Sequence, residues 1–238
     1  SDLKVPQIGK ATRLDLYGEA GKAVRECETV VAVMGINKSI EREGQDRYDI
    51  QLPADQREFL QEIYKVNPNI ILVLVAGSSL AVNWENEHLP AIVNAWYPGE
   101  QGGTAVAEVL FGDYNPAGRL PLTYYKSLEQ LSTFDDYDIT KGRTYQYFKK
   151  DVLYPFGYGL SYTTFKYSNL KVDDAGKTVN VSFTLKNTGK RAGDEVAQVY
   201  VRLPEIAGGT QAIRQLKGFR RVALKAGESR KVEITLDR

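Results

Sequence analysis

The sequence predicts an α/β domain with a parallel sheet, followed by an all-β sandwich. In the first half, short continuous apolar runs alternate with segments of helical period, which is typical of buried parallel strands and their crossover helices. From Lys166 onward the helical periods vanish, and apolar residues alternate with polar ones, as in strands that keep one face in water. We therefore place the α/β domain at residues 1–125, an aromatic-rich connector at 126–165 and the sandwich at 166–238.

The α/β domain is predicted to contain three strands that alternate with helices. Each strand is a short apolar run, and each helix either shows apolar residues at helical spacing or is charged and rich in alanine. In chain order we predict a helix at Glu19–Glu28, a strand at Thr29–Met34, a helix at Leu52–Tyr64, a strand at Ile70–Ala76, a strand at Ala91–Tyr97 and a helix at Gly103–Phe111. This alternation implies parallel pairing with right-handed crossovers.

The sandwich is predicted from three segments in which apolar and polar residues alternate. These segments are Val179–Lys186, Glu195–Arg202 and Arg230–Leu236, with turn residues at Asn187–Gly189 and Ala226–Gly227. The connector that precedes them is rich in Tyr and Phe and carries turn signals. We expect it to be an ordered segment that lies on another surface of the protein.

The composition argues against several classes of function. The chain has 31 basic and 30 acidic side chains, so it offers no basic surface for nucleic acid or for an anionic membrane. The longest apolar run, Asn69–Ala76, is far shorter than the ~20 residues that cross a bilayer. One cysteine, Cys27, and one histidine, His88, cannot build a Cys/His zinc site or a disulfide framework. We expect no metal and no cofactor, and a surface position for His88.

Four acidic side chains crowd the loop that follows the first predicted strand. They are Glu41, Glu43, Asp46 and Asp49, and Arg47 lies among them. Ligands gather at the carboxyl ends of parallel strands, and a carboxyl in a cleft there can act as a general acid. The alternative is a solvated charged loop in which Asp46 and Arg47 pair at the surface. The loop by itself leaves both interpretations open.

Two further loops follow the second and third predicted strands. The segment Gly77–Leu80 is small and polar, but it lacks the Gly-x-Ser-x-Gly elbow of serine hydrolases. Beyond it, Trp84 either stacks on a sugar ring or simply packs near a helix start. The segment Tyr97–Gly103 places glycines before a helix, yet it has neither Walker nor dinucleotide-site spacing. A tight strand-to-helix turn is therefore favoured there over nucleotide binding.

Three stretches of the sequence together resemble glycoside hydrolase family 3, the β-glucosidase and β-xylosidase family. They are Glu43–Arg47 with Leu52–Gln56, then Trp96–Gly103 running into Val109–Pro121, and finally Gly142–Phe148 with Leu153–Phe165. The β region is similar to the fibronectin type III-like domain of that family at Val181–Gly189, Val196–Tyr200 and Gln215–Phe219. The resemblance covers almost the whole chain.

This resemblance implies the C-terminal half of the family's α/β sandwich domain, followed by an immunoglobulin- or fibronectin type III-like sandwich. Three predicted strands are fewer than the six of the family's sheet, so we expect its opening strands to lie outside this chain. We also expect the β-sandwich to stop before its last strands. Whether the chain is a fragment, a processed product or a separate subunit stays open.

The resemblance further implies a retaining mechanism on two carboxyl groups. In the family the nucleophile is an Asp on an N-terminal TIM-like barrel, and the general acid/base is a Glu on the α/β domain. Glu43 heads the Glu-Gly-x-Asp-Arg string that looks like the family motif, so we assign the acid/base to it, with Glu41 as the rival. Asp46 and Arg47 are expected to support the loop as an ion pair. No residue of this chain is assigned as the nucleophile.

The resemblance therefore predicts the C-terminal part of an exo-acting β-glucosidase that removes terminal non-reducing β-D-glucosyl residues. A β-xylosidase of the same family and a non-catalytic carbohydrate-binding or interaction module are the alternatives. The expected partners are a β-linked oligosaccharide or glycoside and the TIM-like barrel, in the same gene or on a separate chain. The aromatic segment Tyr145–Phe148 either lines an aglycone site or braces two domains. The resemblance favours a periplasmic or secreted protein, while a single cysteine is also compatible with the cytoplasm.

Overall fold

The computed structural model describes residues 13–204 and 209–237. The helices are α1 (Arg13–Glu26), α2 (Ala54–Tyr64), α3 (Asn83–His88), α4 (Gly102–Phe111) and α5 (Thr144–Tyr147), with single 3₁₀ turns at Leu128–Gln130 and Ile139–Lys141. The strands are β1 (Val30–Gly35), β2 (Ile70–Val75), β3 (Ala91–Asn94), β4 (Phe165–Asp174), β5 (Thr178–Asn187), β6 (Gly193–Val201), β7 (Gln215–Leu224) and β8 (Ser229–Asp237).

Strands β1, β2 and β3 form a parallel sheet in that order, which confirms the predicted parallel pairing. Val30 lies opposite Ile70, and Ile71 lies opposite Ala91. The central strand β2 consists of six apolar residues, and four of them are buried. An unbroken apolar run is typical of a parallel strand whose two faces are both covered. The sheet therefore brings the carboxyl ends of all three strands to one edge.

Helix α2 forms where the sequence predicts a helix. Pro53 stands at the N-cap position, and Leu60 and Ile63 are buried, as expected for the apolar stripe of an amphipathic helix. Helix α3 was not predicted. It has only six residues, and its buried residue is an acid, Glu85. The sequence therefore lacks the apolar residues at helical spacing from which a helix is predicted.

The second half of the chain forms two antiparallel sheets, as the alternating pattern predicts. One sheet has the order β4-β5-β8, and the other pairs β6 with β7. Along β8, Val232 and every second residue after it are buried, while the residues between them are exposed. The shared core consists of Val181, Phe183, Leu185, Ala197, Val222, Leu224, Val232, Ile234 and Leu236. Strands β4 and β7 belong to this sandwich but were not predicted as strands.

A partly buried ion pair links the segment after α4 to the sandwich. Arg119 Nη2 lies 2.6 Å from Glu195 Oε2, and the two side chains are only 12% and 13% exposed. Tyr167 on β4 donates a hydrogen bond to the other oxygen of Glu195 at 2.8 Å. Partial desolvation of the half-exposed phenol, and then this hydrogen bond, raise the pKa of Tyr167 above its usual range.

The aromatic connector is braced against β7. The Tyr145 ring stacks on Phe156 with a centroid distance of 4.2 Å, and its hydroxyl oxygen accepts a hydrogen bond from the Leu216 backbone N–H at 3.0 Å. These contacts favour a structural brace over an aglycone-lining role for Tyr145–Phe148.

The described chain divides into two compact units. The first contains the described residues up to Gly102 together with Tyr125–Leu128, and the second contains Gly103–Tyr124 together with the described residues from Glu129 onward. The domain limits predicted at residues 125 and 165 stay a prediction. The acidic loop and the other loops at the carboxyl ends of the sheet lie within the first unit.

Candidate active site

Three loops meet at the carboxyl edge of the parallel sheet. In the strand register Gly35 lies opposite Val75, and Leu74 opposite Asn94, so all three strands end at nearly the same level. The loops that follow β1, β2 and β3 therefore start side by side, which is where ligands gather in folds of this class. This edge carries the acidic loop selected from the sequence.

The start of the acidic loop is held by helix α2. The Gln56 side chain accepts a hydrogen bond from Gly35 N–H and donates one to Gly35 O, both at 2.9 Å. A Cβ on Gly35 would lie 1.8 Å from the carbonyl oxygen of Val75, so a side chain has no room at this position. The end of β1 is thus fixed on both its helix side and its strand side.

Glu41 has both carboxylate oxygens occupied. Arg47 Nε donates to Oε2 at 2.6 Å, and the Ser78 hydroxyl lies 2.8 Å from Oε1 and 2.7 Å from Oε2. The Arg47 side chain is 8% exposed and that of Glu41 is 24% exposed, so water screens the pair only in part. Glu41 is therefore a bound carboxylate and not a free one.

Arg47 joins the acidic loop to the loop after β2. Its Nη2 donates to the Ser78 hydroxyl oxygen at 2.8 Å and to the Ser79 carbonyl oxygen at 2.9 Å. The Ser78 hydroxyl can therefore donate to Glu41 while it accepts from Arg47, which uses both capacities of a hydroxyl group. Arg47 Nη1 is buried and has no hydrogen-bond partner among the described residues.

Glu43 differs from Glu41 in its surroundings. It is exposed, and its carboxylate makes no hydrogen bond or ion pair with the part of the chain that the structure describes. Asp46 is likewise exposed and unpaired within residues 13–204 and 209–237. The predicted ion pair between Asp46 and Arg47 is therefore wrong, because the Arg47 guanidinium turns to Glu41 and Ser78, where it is buried.

The third loop packs on the second. The Tyr97 ring covers Gly77 so closely that a Cβ on Gly77 would lie 2.5 Å from a ring carbon. The Tyr97 hydroxyl donates to Ile36 O at 3.4 Å, and half of the side chain stays exposed. At the end of this loop, Gly102 N–H donates to Gly99 O at 2.9 Å, which fits the tight strand-to-helix turn favoured from the sequence.

Sequence reasoning missed the part played by Ser78. The lack of an elbow motif argues against Ser78 as a nucleophile, and no local pattern connects this serine with Glu41. The available signal was topological: both residues follow strands that were predicted to be parallel and buried, and such strands end at one edge. The separation of 37 residues between the partners hides the contact in the sequence.

A second acidic group is buried in α3. Glu85 is 2% exposed, and its Oε1 has no hydrogen-bond partner among the described residues. Desolvation raises the pKa of Glu85 above its usual value, while a backbone hydrogen bond and the charges of Arg57 and His88 reduce the rise.

Two aromatic candidates from the sequence pack on each other beside Glu85. The exposed His88 ring stacks on Trp84 at a centroid distance of 4.6 Å, which favours the packing interpretation of Trp84 over sugar stacking.

Neither a metal cluster nor a membrane helix is found within residues 13–204 and 209–237. No three or more His, Cys, Asp or Glu side chains there come together in a way that would hold a metal ion. No helix in this part of the chain has the length and apolar character needed to span a bilayer.

Comparison with known proteins assigns the family. Residues 8–162 match the family model described as the glycosyl hydrolase family 3 C-terminal domain. The chain belongs to glycosyl hydrolase family 3. Residues 195–238 match a second model, the fibronectin type III-like domain. Both parts of the resemblance stated from the sequence, the family and its β-sandwich domain, are confirmed.

Relatives of known name match along most of the chain. A xylan 1,4-beta-xylosidase from Xylanibacter ruminicola is 44% identical over 230 residues, a match that covers 88% of this chain and 26% of that protein. A periplasmic beta-glucosidase from Salmonella typhimurium is 36% identical over 239 residues, covering 93% of this chain and 31% of that protein.

Solved family 3 structures have the same fold. A beta-glucosidase from Kluyveromyces marxianus in complex with glucose superposes with a TM-score of 0.86 at 33% identity, covering 97% of this chain and 29% of that one. A beta-glucosidase from Bifidobacterium adolescentis gives a TM-score of 0.87 at 33% identity, covering 97% of this chain and 36% of that one. The predicted α/β domain followed by a fibronectin type III-like sandwich is thereby confirmed. This chain spans between a quarter and about a third of the length of these relatives.

Proposed function

We propose that this chain supplies the general acid/base carboxyl of a retaining, exo-acting β-glycosidase, and that Glu43 carries that carboxyl. The observation that supports this choice is the contrast between the two glutamates of the acidic loop. Both oxygens of Glu41 already accept hydrogen bonds, whereas Glu43 is exposed and unoccupied among the described residues. A general acid must reach the glycosidic oxygen with its proton, and Glu43 can do so without breaking an existing contact.

The proposed reaction uses a second carboxyl from outside this chain. An Asp on the N-terminal TIM-like barrel of the full enzyme attacks the anomeric carbon, while Glu43 protonates the departing oxygen. In the second step the Glu43 carboxylate removes a proton from water, which then releases the sugar from the Asp. This mechanism requires the two carboxyl groups to lie about 5 Å apart in the full enzyme.

We assign the substrate as a terminal non-reducing β-D-glucosyl unit. Support comes from the relatives, because the Salmonella protein and both solved structures are named beta-glucosidases. A β-xylosidase is the second candidate, supported by the 44% identity to the Xylanibacter xylosidase. The two candidates are separated by kcat/KM of the full-length enzyme on matched aryl β-glucosides and β-xylosides. The glucoside is expected to be the better substrate.

Replacing Glu43 with Gln in the full-length enzyme tests the proposal. We expect kcat/KM for a phenyl β-glucoside, whose leaving group needs protonation, to fall by about 10²–10⁴-fold. A dinitrophenyl β-glucoside leaves without a proton, so its first step should change little. Added azide should restore turnover and give β-glucosyl azide, because it attacks the glycosyl-enzyme without a general base.

A matched control lies on the exposed face of α2. Glu62 pairs with Lys65 at 2.6 Å on the surface, so Glu62→Gln removes a carboxylate of the same size far from the proposed chemistry. This variant should behave like the unaltered enzyme on both substrates. If Glu43→Gln hydrolyses the phenyl glucoside normally, or yields no azide product, the assignment of Glu43 is wrong.

A further inference from the structure

Glu43 sits at the tip of a tight backbone turn. Arg42 and Gln45 exchange both backbone hydrogen bonds, at 3.1 and 2.9 Å, so Glu43 and Gly44 form the two-residue tip. Gly44 has a φ of 74°, which a type II turn requires at its third position and which glycine adopts without strain. The direction in which the Glu43 side chain leaves the loop is therefore set by this turn.

The turn is closed at its base by an ion pair between its flanking residues. Glu41 precedes the turn and Arg47 follows it, and their side chains meet at 2.6 Å. Both residues of the pair are hydrogen-bonded to the Ser78 hydroxyl, and Ser78 follows β2. The base of the backbone turn is therefore anchored at the sheet edge. We call Glu41, Arg47 and Ser78 the clamp.

The clamp matters because the Glu43 side chain makes no hydrogen bond or ion pair within residues 13–204 and 209–237. Nothing else among the described residues holds its carboxyl, so its position depends on the backbone of the turn. A general acid must be positioned accurately to protonate a glycosidic oxygen. A misplacement of about 1 Å can lower the rate by about 10²-fold. The Arg47 side chain is 8% exposed, so the base of the turn is anchored by a nearly buried group, whereas the tip is exposed.

We infer that the clamp is a positioning device, in which Glu41, Arg47 and Ser78 aim the Glu43 carboxyl without themselves touching the substrate. The inference rests on the proposed function of Glu43 and gives Glu41 a different role from the catalytic one considered in the sequence. It also identifies Ser78 as a residue on which acid catalysis depends.

Ser78→Ala in the full-length enzyme is the sharpest test, because it loosens the clamp while the Glu41–Arg47 pair can persist. We expect kcat/KM for the phenyl β-glucoside to fall by about 10-fold or more, because a misaimed acid protonates poorly. The value for the dinitrophenyl β-glucoside, which needs no proton, should change by less than about 2-fold. Ser78→Thr keeps the hydroxyl and should retain most of the activity on both substrates.

Azide separates a positioning role from a catalytic one. In Ser78→Ala and Glu41→Gln the Glu43 carboxylate is still present, so azide should give no β-glucosyl azide. Glu41→Gln should also show the selective loss on the phenyl substrate. If azide does form the glycosyl azide with Glu41→Gln, Glu41 is the acid/base itself, and the inference fails together with the assignment of Glu43.

The remaining outcomes distinguish the two proposals. If Ser78→Ala loses equal activity on both substrates and melts at a lower temperature, the clamp is only structural and the inference is overturned. Wild-type behaviour of Ser78→Ala also overturns it. In either case Glu43→Gln with azide rescue would leave the proposed function intact, so the two proposals can fail separately.

Discussion

At the scale of single residues, Glu85 shows how burial couples a carboxyl group to stability. Its raised pKa means that the folded protein binds the Glu85 proton more tightly than the unfolded chain does. The cost of ionising Glu85 in the folded state therefore appears as pH rises above the unfolded pKa of 4.5, and is complete above the raised folded pKa. Arg57 and His88 offset part of that cost.

Glu85→Gln should therefore be more stable than the unaltered protein, and increasingly so as pH rises. The glutamine has a similar shape and never ionises, so its advantage is absent at low pH and largest at neutral pH. Thermal midpoints measured between about pH 4 and pH 8 test this expectation. The exposed Glu87 on the same helix provides the control, since Glu87→Gln should give no advantage that grows with pH. A Glu85→Gln midpoint that falls relative to the unaltered protein as pH rises would contradict the argument.

At the scale of elements, Asn187 joins three parts of the sandwich through one buried amide. Its Oδ1 accepts from the Thr163 hydroxyl at 2.7 Å and from Gly189 N–H at 3.1 Å. Its Nδ2 donates to Arg191 O at 2.7 Å and to Leu224 O at 3.3 Å. The side chain is fully buried, so bulk water does not compete for these bonds in the folded protein.

Asn187→Ala is expected to destabilise the sandwich by about 2–4 kcal/mol, because it leaves buried donors and acceptors without partners. The matched control is Asn180→Ala on the same strand, where the side chain is exposed and contacts Thr235 on the surface. That change should stay within about 0.5 kcal/mol. Denaturant unfolding of the two variants checks the difference, and equal midpoints would show that Asn187 is not a structural hub.

The sheet elements show which strands a sequence can reveal. Strands β5 and β8 bury alternate residues, and their period-two pattern predicted them. Strand β4 is almost entirely exposed and carries a bulge between Ser168 and Lys171, with Asn169 at a φ of 54°. Strand β7 pairs with β6 across a second register shift and contains Gly218. A bulge breaks the alternation of apolar and polar residues on which strand prediction depends, so neither strand was predicted.

The loops of the candidate site divide in the same way. The predicted parallel strands indicated that the loops after them meet at one edge of the sheet. The acidic loop was a candidate because it follows β1. Local sequence did not predict the pairing within the loop, because Arg47 has several acidic neighbours along the chain and its other partner, Ser78, lies on the loop after β2. Asp46 is the acidic residue nearest to Arg47 in the sequence. In the structure the nearly buried Arg47 guanidinium pairs with Glu41 instead.

At the scale of the whole molecule, the proposed mechanism divides its two carboxyl groups between this chain and the barrel. Retaining hydrolysis needs both, because one must attack the sugar while the other protonates the departing oxygen. The 238-residue chain should therefore hydrolyse no glycoside by itself, even when a thermal melt shows that it is folded. We expect no turnover of aryl β-glucosides or β-xylosides, and weak or no binding when glucose or xylose is titrated into it. The full-length enzyme, assayed in parallel, should hydrolyse at least one of these glycosides. Sugar binding by the isolated chain, combined with no effect of Glu43→Gln in the full-length enzyme, would instead favour a non-catalytic carbohydrate-binding module.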